Sequence, residues 1–291
     1  MRFAHLAQRL FNTPIAIRPE KAEVVMAALA DRLGISKMIR VDGTEGALSV
    51  GAYLGDEYAR AGRDQPEGYS NVAGVAVIQV SGTLVQKLGT LEPYSGMTGY
   101  DGLRQNFLTA LNDPDVKAIA LQIDSPGGEV AGCFDLVDTI FEARGEKPIT
   151  AILDESAYSA AYAIASAADE IYVPRTGGTG SIGVISMHVD WSKALTDSGV
   201  KVTFITYGDR KADGHAEIPL SDEAHANFKA DITTMGELFV ETVARNRGIA
   251  ASAVRATQAG TFLGERGVKL GLADAVMPPD AAFQTLLSKL H

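Results

Sequence analysis

Ala118-Ile119-Ala120-Leu121-Gln122-Ile123 is apolar at every position but one, and Asp124-Ser125-Pro126-Gly127-Gly128 follows directly. A run this continuous suits a strand covered on both faces, as in a parallel sheet. After the glycines, helical spacing sets in over 130–143. The same alternation extends in both directions. Upstream, an apolar run at 75–80 precedes a helical stretch at 100–111. Downstream, a strand at 149–153 leads to a short helix at 159–168. Further strands are expected at 171–173, 182–189 and 202–206, then a long helix at about 221–247. Such alternation predicts an α/β fold, a mostly parallel sheet covered by helices. Right-handed crossovers then stack the units as a spiral of βαβ units.

Residues 1–70 read differently. A helix is expected over 19–33, with Pro19 at its start, Val24, Val25, Ala28, Leu29 and Leu33 at helical spacing, and Gly34 as its cap. The breaker-rich stretch 61–68 marks a boundary. The expected organisation is thus a partly helical N-terminal extension, 1–70, and one larger domain, 71–291. The chain has 291 residues, 46% of them hydrophobic, with a formal net charge of −10. That is enough for one large core, and the acidic balance with no basic stripe argues against a nucleic-acid partner. No stretch reaches the ~18 apolar residues that span a bilayer, so no membrane anchor is expected.

Four stretches carry candidate chemistry. Ser159 lies in Ser156-Ala157-Tyr158-Ser159-Ala160-Ala161-Tyr162, among small neighbours that would admit a substrate backbone. Lys211 lies in Tyr207-Gly208-Asp209-Arg210-Lys211-Ala212, and Ser181 in Thr179-Gly180-Ser181-Ile182-Gly183-Val184 between the two. A serine that attacks, a neutral amine that takes its proton and backbone N–H groups that hold the oxyanion together make a peptidase. A lysine in water titrates near ~10.4, so such a base has to be desolvated. Gly127 and Gly128 would let a ligand approach the backbone at a strand-to-helix turn. Taken singly, each feature also has an ordinary role. Ser156 or Ser159 suits a helix cap, Lys211 a solvated loop and the glycines a plain turn. His188, His215 and His225 keep a serine–histidine device open, with His215 in the loop region of Lys211. No cofactor and no metal are expected. The single cysteine, Cys133, reads as a buried small residue, and no phosphate-loop motif is present.

Together these motifs resemble the signal peptide peptidase A family of serine–lysine peptidases, which share the fold of the Clp protease proteolytic subunit and the crotonases. The resemblance covers about residues 72–277. It rests on Gly82, the 124–128 stretch, Ser159 with Tyr162 and Ala167-Ala168-Asp169, the 179–184 stretch, and Lys211. It also rests on Gly260-Thr261-Phe262-Leu263-Gly264 and Gly271-Leu272-Ala273-Asp274. It implies Ser159 as nucleophile, Lys211 as general base and Ser181 as the hydroxyl that orients the lysine. It also implies an oxyanion and substrate loop at Gly127, Gly128 and Ala160. One departure is Ser159-Ala160-Ala161 where bacterial membrane enzymes of the family usually carry Ser-Gly-Gly.

The stretch Leu6-Ala7-Gln8-Arg9-Leu10-Phe11-Asn12-Thr13-Pro14 resembles the opening of the tailed-phage head-maturation branch. That implies scaffold, capsid or portal proteins as substrates and a closed homo-oligomer. It places the protein in the cytoplasm of the producing cell or inside the prohead. The alternatives are a bacterial enzyme that degrades signal peptides, a crotonase-like acyl-CoA enzyme, and a non-catalytic capsid assembly protein.

Overall fold

The computed structural model describes residues 14–18, 38–39, 45–46 and 68–290. The helix expected at 19–33, and the boundary expected at 61–68 up to its last residue, lie outside them. The N-terminal strands are β1 (Ile15–Ile17), β2 (Met38–Ile39) and β3 (Glu45–Gly46), the last two paired with each other. Then come β4 (Ser70–Val72), β5 (Val75–Val85), β6 (Met97–Gly99), α1 (Tyr100–Asn112), β7 (Ala118–Glu129), α2 (Cys133–Glu142), β8 (Ile149–Ala157) and α3 (Ala160–Ser166). After β9 (Glu170–Val173) and β10 (Gly178–Gly180) follow α4 (Ser192–Asp197), α5 (Asp222–Arg247) and α6 (Ala251–Ala256). The chain closes with β11 (Thr261–Leu263), α7 (Glu265–Lys269), β12 (Ala275–Val276) and α8 (Pro279–Ser288).

The centre is parallel, as expected. β5 pairs with β7, β7 with β8, and β8 with β9, all in parallel register. Because side chains alternate across a strand, these runs feed two cores. Ala76, Ile78, Ile119, Leu121, Ile123, Ile149, Ala151 and Leu153 enter the larger one, with buried residues of α1, α2, α3 and the end of α5. Val75, Ala118, Ala120 and Ile152 face the other way and meet Ala282 and Leu286 of α8. Beyond α8 that second face turns polar. Gln79 Nε2 donates to Gln122 Oε1 at 2.7 Å, and Gln122 Nε2 to Asp154 at 2.9 Å. This accounts for Gln122, the one polar residue of its run.

Two expected features differ. No strand forms at 182–189 or 202–206, apart from an isolated bridge at Ile185. A strand needs partners for its N–H and C=O groups. β10 already has β8 on one side and β11 on the other, so the chain leaving Ser181 finds only the three-residue edge of β1, which it meets at Ile185 alone. In the second run Val202 and Ile205 remain exposed, Ile205 at 97%, as does the adjacent Tyr207. The 124–128 stretch, expected as a strand-to-helix turn, lies within β7, and α2 begins only at Cys133. Pairing with β5 and β8 shifts register at this stretch, which lets the strand continue through Pro126.

Arg144 ties three helix ends together. Its guanidinium donates to Ser166 O and Ala167 O at 2.9 Å, to Ala168 O at 2.5 Å and to Asn246 O at 3.1 Å. These are terminal carbonyls of α3 and α5 that have no intrahelical partner. A planar five-donor fork can serve them at once, and a lysine cannot. Arg144→Met should therefore destabilise the chain by about 3 kcal/mol, with Arg144→Lys recovering little of it. Urea unfolding followed by circular dichroism measures both; a midpoint unchanged in Arg144→Met would refute this tie.

Candidate active site

The strand β8 ends at Ala157, and Ser159 turns the chain into α3. Ser159 has φ 54° and ψ −122°, a conformation that costs a residue with a side chain on the order of 1–3 kcal/mol. Several contacts hold it there. Its N–H donates to Gly180 O at 2.8 Å, and its carbonyl accepts from Ala163 N–H at 2.9 Å. The residues of α3 behind it are all buried and mostly alanine, so the helix lies close against the sheet. Ala160 and Ala161 are helical and fully buried, so alanine is accommodated at both positions. The Ser159 side chain is 1% exposed, and its Oγ lies 3.4 Å from Gly183 O.

Gly127 sits across from it with φ 102°. A methyl group at Gly127 would stand 3.0 Å from Ser159 Cβ and 3.0 Å from Tyr158 O. The loop is pinned by Ser125, whose Oγ donates to Gly82 O at 2.7 Å and accepts from Gly127 N–H at 3.2 Å. Tyr158 N–H in turn donates to Ser125 O at 3.1 Å, joining the two strand ends. Gly128 has no room for a side chain either, since a methyl would stand 1.8 Å from Leu84 O. The third wall is the 178–181 stretch. β11 pairs antiparallel with β10, and Ser181 N–H donates to Gly260 O at 2.8 Å. Ser181 is buried with φ 55°, so the chain turns sharply there as well.

The structure thus brings Ser159, Gly127, Gly128, Ala160 and the Gly180–Ser181 turn together. It does not bring Lys211. Lys211 is exposed in a turn where its N–H donates to Gly208 O at 3.1 Å. Among the described residues no hydrogen bond or ion pair joins it to Ser159. His215 stacks on Phe204 with ring centroids 4.6 Å apart and faces Glu217 at 3.6 Å. Two neighbours of the site are not marked by the sequence motifs. Gly180 supplies the carbonyl that fixes the Ser159 N–H, and β1 lies along Gly127–Glu129. The glycine inside Thr179-Gly180-Ser181 and the short apolar run after Pro14 were the signals available for each.

Residues 142–290 match the profile of peptidase family S49. The chain belongs to peptidase family S49. The matched span contains Ser159, Ser181 and Lys211. The chain is 36% identical over 290 residues to the head-tail preconnector protein GP5 of Enterobacteria phage P21, covering 99% of this chain and 58% of that protein. It is 37% identical over 293 residues to the capsid assembly protease C of Escherichia phage lambda, covering 98% of this chain and 66% of that protein. The chain therefore spans about three fifths to two thirds of these relatives. Among solved structures, a ClpP1 mutant from Listeria monocytogenes aligns with a TM-score of 0.43 and 12% identity, over 71% of this chain and 93% of that one.

In this S49 chain the Gly180 carbonyl sets the Ser159 backbone, and Gly180 itself has φ 102°. A methyl group there would stand 2.5 Å from Gly260 O. Gly180→Ala should cost at least about 1–2 kcal/mol from the left-handed backbone alone. Denaturant unfolding against the wild type checks it, and equal midpoints would show that the turn relaxes freely.

Proposed function

We propose that this chain is a serine endopeptidase that cleaves scaffold, capsid or portal proteins during phage prohead maturation. The observation that carries the reading is the strained Ser159 backbone, held at a strand-to-helix junction with glycine backbone on two sides. Strain of this kind persists only where surrounding structure enforces it, and it gathers at functional sites. Membership of family S49 and the similarity to capsid assembly protease C of phage lambda support the same reading.

In the proposed mechanism Ser159 Oγ attacks the scissile carbonyl carbon, and its proton passes to the Lys211 amine. The oxyanion takes hydrogen bonds from the backbone N–H groups of Gly128 and of Ala160, the first residue of α3, while Gly127, whose own N–H is held by Ser125 Oγ, lines the site. When the tetrahedral adduct collapses, the lysine returns the proton to the leaving amine. Water then releases the acyl group from Ser159 by the same route. Ser181 orients the lysine. No cofactor or metal enters any of these steps.

For Lys211 to act, its segment has to dock at Ser159. The exposed Ile205 and Tyr207 near Lys211 supply apolar surface for such docking. The long helix α5 points the same way. Only Ala224 and residues from Phe239 onward are buried in it, while Leu238 is 50% exposed. Apolar surface left on both elements fits a closed homo-oligomer in which neighbouring copies complete the site.

Co-expression with candidate scaffold and capsid proteins, read by mass spectrometry, tests the activity. Ser159→Ala should abolish cleavage and keep the fold. Lys211→Arg should do the same, because a guanidinium stays protonated and cannot accept the serine proton. Ser181→Ala should slow turnover roughly two- to ten-fold, the worth of one hydrogen bond. A Lys211→Arg chain that still cleaves would falsify the serine–lysine pair.

Analytical ultracentrifugation should show a closed oligomer, and a fully active monomer would refute it. Mixing Ser159→Ala with Lys211→Ala chains should then restore cleavage, as expected if one copy's lysine serves its neighbour's serine. Inactive mixed oligomers would place the pair within one chain.

A further inference from the structure

Residues 14–18 lie in the groove beside Ser159. The strand β7 outruns β8: their pairing ends at Ser125↔Ala157, where the chain leaves for Ser159, while β7 continues to Glu129. The edge left beyond that point is taken by β1, antiparallel, with Ile15↔Glu129, Ala16↔Gly128 and Ile17↔Gly127. The pairing extends past both ends of β1. Arg18 N–H donates to Pro126 O at 3.1 Å, and Val130 N–H to Pro14 O at 3.4 Å. On the opposite edge Ile15 exchanges backbone bonds with Ile185, at 2.9 and 3.0 Å. Ala16 is 2% exposed and belongs to the larger core. The Arg18 guanidinium stacks over the Tyr158 ring, 4.7 Å from its centroid, one residue before Ser159. A methyl group at Gly127 would stand 2.1 Å from Ala16 O and 3.0 Å from Ser159 Cβ, so the strand's carbonyl and the serine converge on one glycine.

We propose that residues 14–18 are a built-in occupant of the peptide groove, a strap that a substrate strand has to displace. The inference rests on Ser159 being a peptidase nucleophile. An extended peptide bound by strand addition would use the edge at Gly127–Glu129, and one edge cannot pair with two strands at once. The displacing segment is expected to be extended, with a small residue at the place of Ala16 and apolar residues on either side. A tethered competitor acts as a pre-equilibrium. It raises the apparent KM by the ratio of all grooves to open ones and leaves kcat unchanged.

Two variants of the full chain test this. Ala16→Asp sets a carboxylate in an apolar core, and Ile15→Pro removes the N–H that bonds Ile185. Neither residue has a role in the proposed chemistry, and circular dichroism confirms that each variant is folded. With a fluorogenic peptide carrying Ile-Ala-Ile, KM should fall about five-fold or more while kcat stays within about two-fold. Added peptide Thr-Pro-Ile-Ala-Ile-Arg, the sequence of residues 13–18, should inhibit the Ala16→Asp chain competitively. In a Ser159→Ala background, Ala16→Asp should speed hydrogen exchange at amides 128 and 130, which face β1. Unchanged KM and unchanged exchange in a folded variant would overturn the strap. So would removal of residues 1–16 by the wild type but not by Ser159→Ala, which marks a substrate and not a standing occupant. If exchange responds but no chain, wild type included, cleaves any peptide, residues 14–18 are displaceable and it is the peptidase reading that falls, taking the competition with substrate with it.

Discussion

Nothing larger than hydrogen fits at Gly127, and the rest of the site is arranged around that exclusion. Ser159 Cβ, Tyr158 O and Ala16 O all lie within 3.0 Å of the point where its side chain would begin. A backbone strand can thereby pass directly across the serine. The approach needs β7 to continue beyond β8 through a register shift, and it needs Ser159 to adopt an unfavourable φ. Neither would persist alone. The Ser125 hydroxyl bridging Gly82 and Gly127, and the Gly180 carbonyl on the Ser159 N–H, hold them in place.

The surrounding fold provides stiffness where the strain is stored. The helix α3 is short and would be marginal in water, yet every residue is buried. Its C-terminal carbonyls are met by Arg144, and Tyr162 donates to Leu272 O at 2.9 Å from a site that burial keeps strongly apolar. That burial raises the Tyr162 phenol's pKa well above its ordinary range, so it stays a neutral donor. The late motif around Leu272 thus anchors the helix that carries the serine. Cys133, beside the same core, is likewise kept as a thiol, its pKa pushed up to about 12 by burial.

Around Lys211 the physical situation is reversed. The stretch after Ser181 leaves the sheet, forms little ladder and keeps Ile205 and Tyr207 in water. The Ser159 side of the site is held within one chain, whereas the Lys211 segment carries exposed apolar surface. That asymmetry suits the proposed mechanism, in which the lysine is seated by docking.

Much of this was legible in the residues themselves. The near-continuous apolar runs at 118–123 and 149–153 mark doubly covered parallel strands, because burial on both faces removes the alternation a half-wet strand would show. Glycines at 127, 128 and 180 and small residues around Ser159 mark close backbone approach, because only they tolerate it. Other features depended on non-local partners. Whether 182–189 and 202–206 become strands turns on a free sheet edge; β11, from some eighty residues later, holds one side of β10, and β1 meets the 182–189 run at Ile185 alone. That Pro126 lies inside a strand follows from a register shift between three strands. That Ile15–Ile17 lies beside Ser159 follows from unequal lengths of β7 and β8. Local patterns settle which face of a segment is apolar. Only the assembled sheet decides which edge remains open to pair with it, since a hydrogen-bonding edge is shared between segments far apart in the chain.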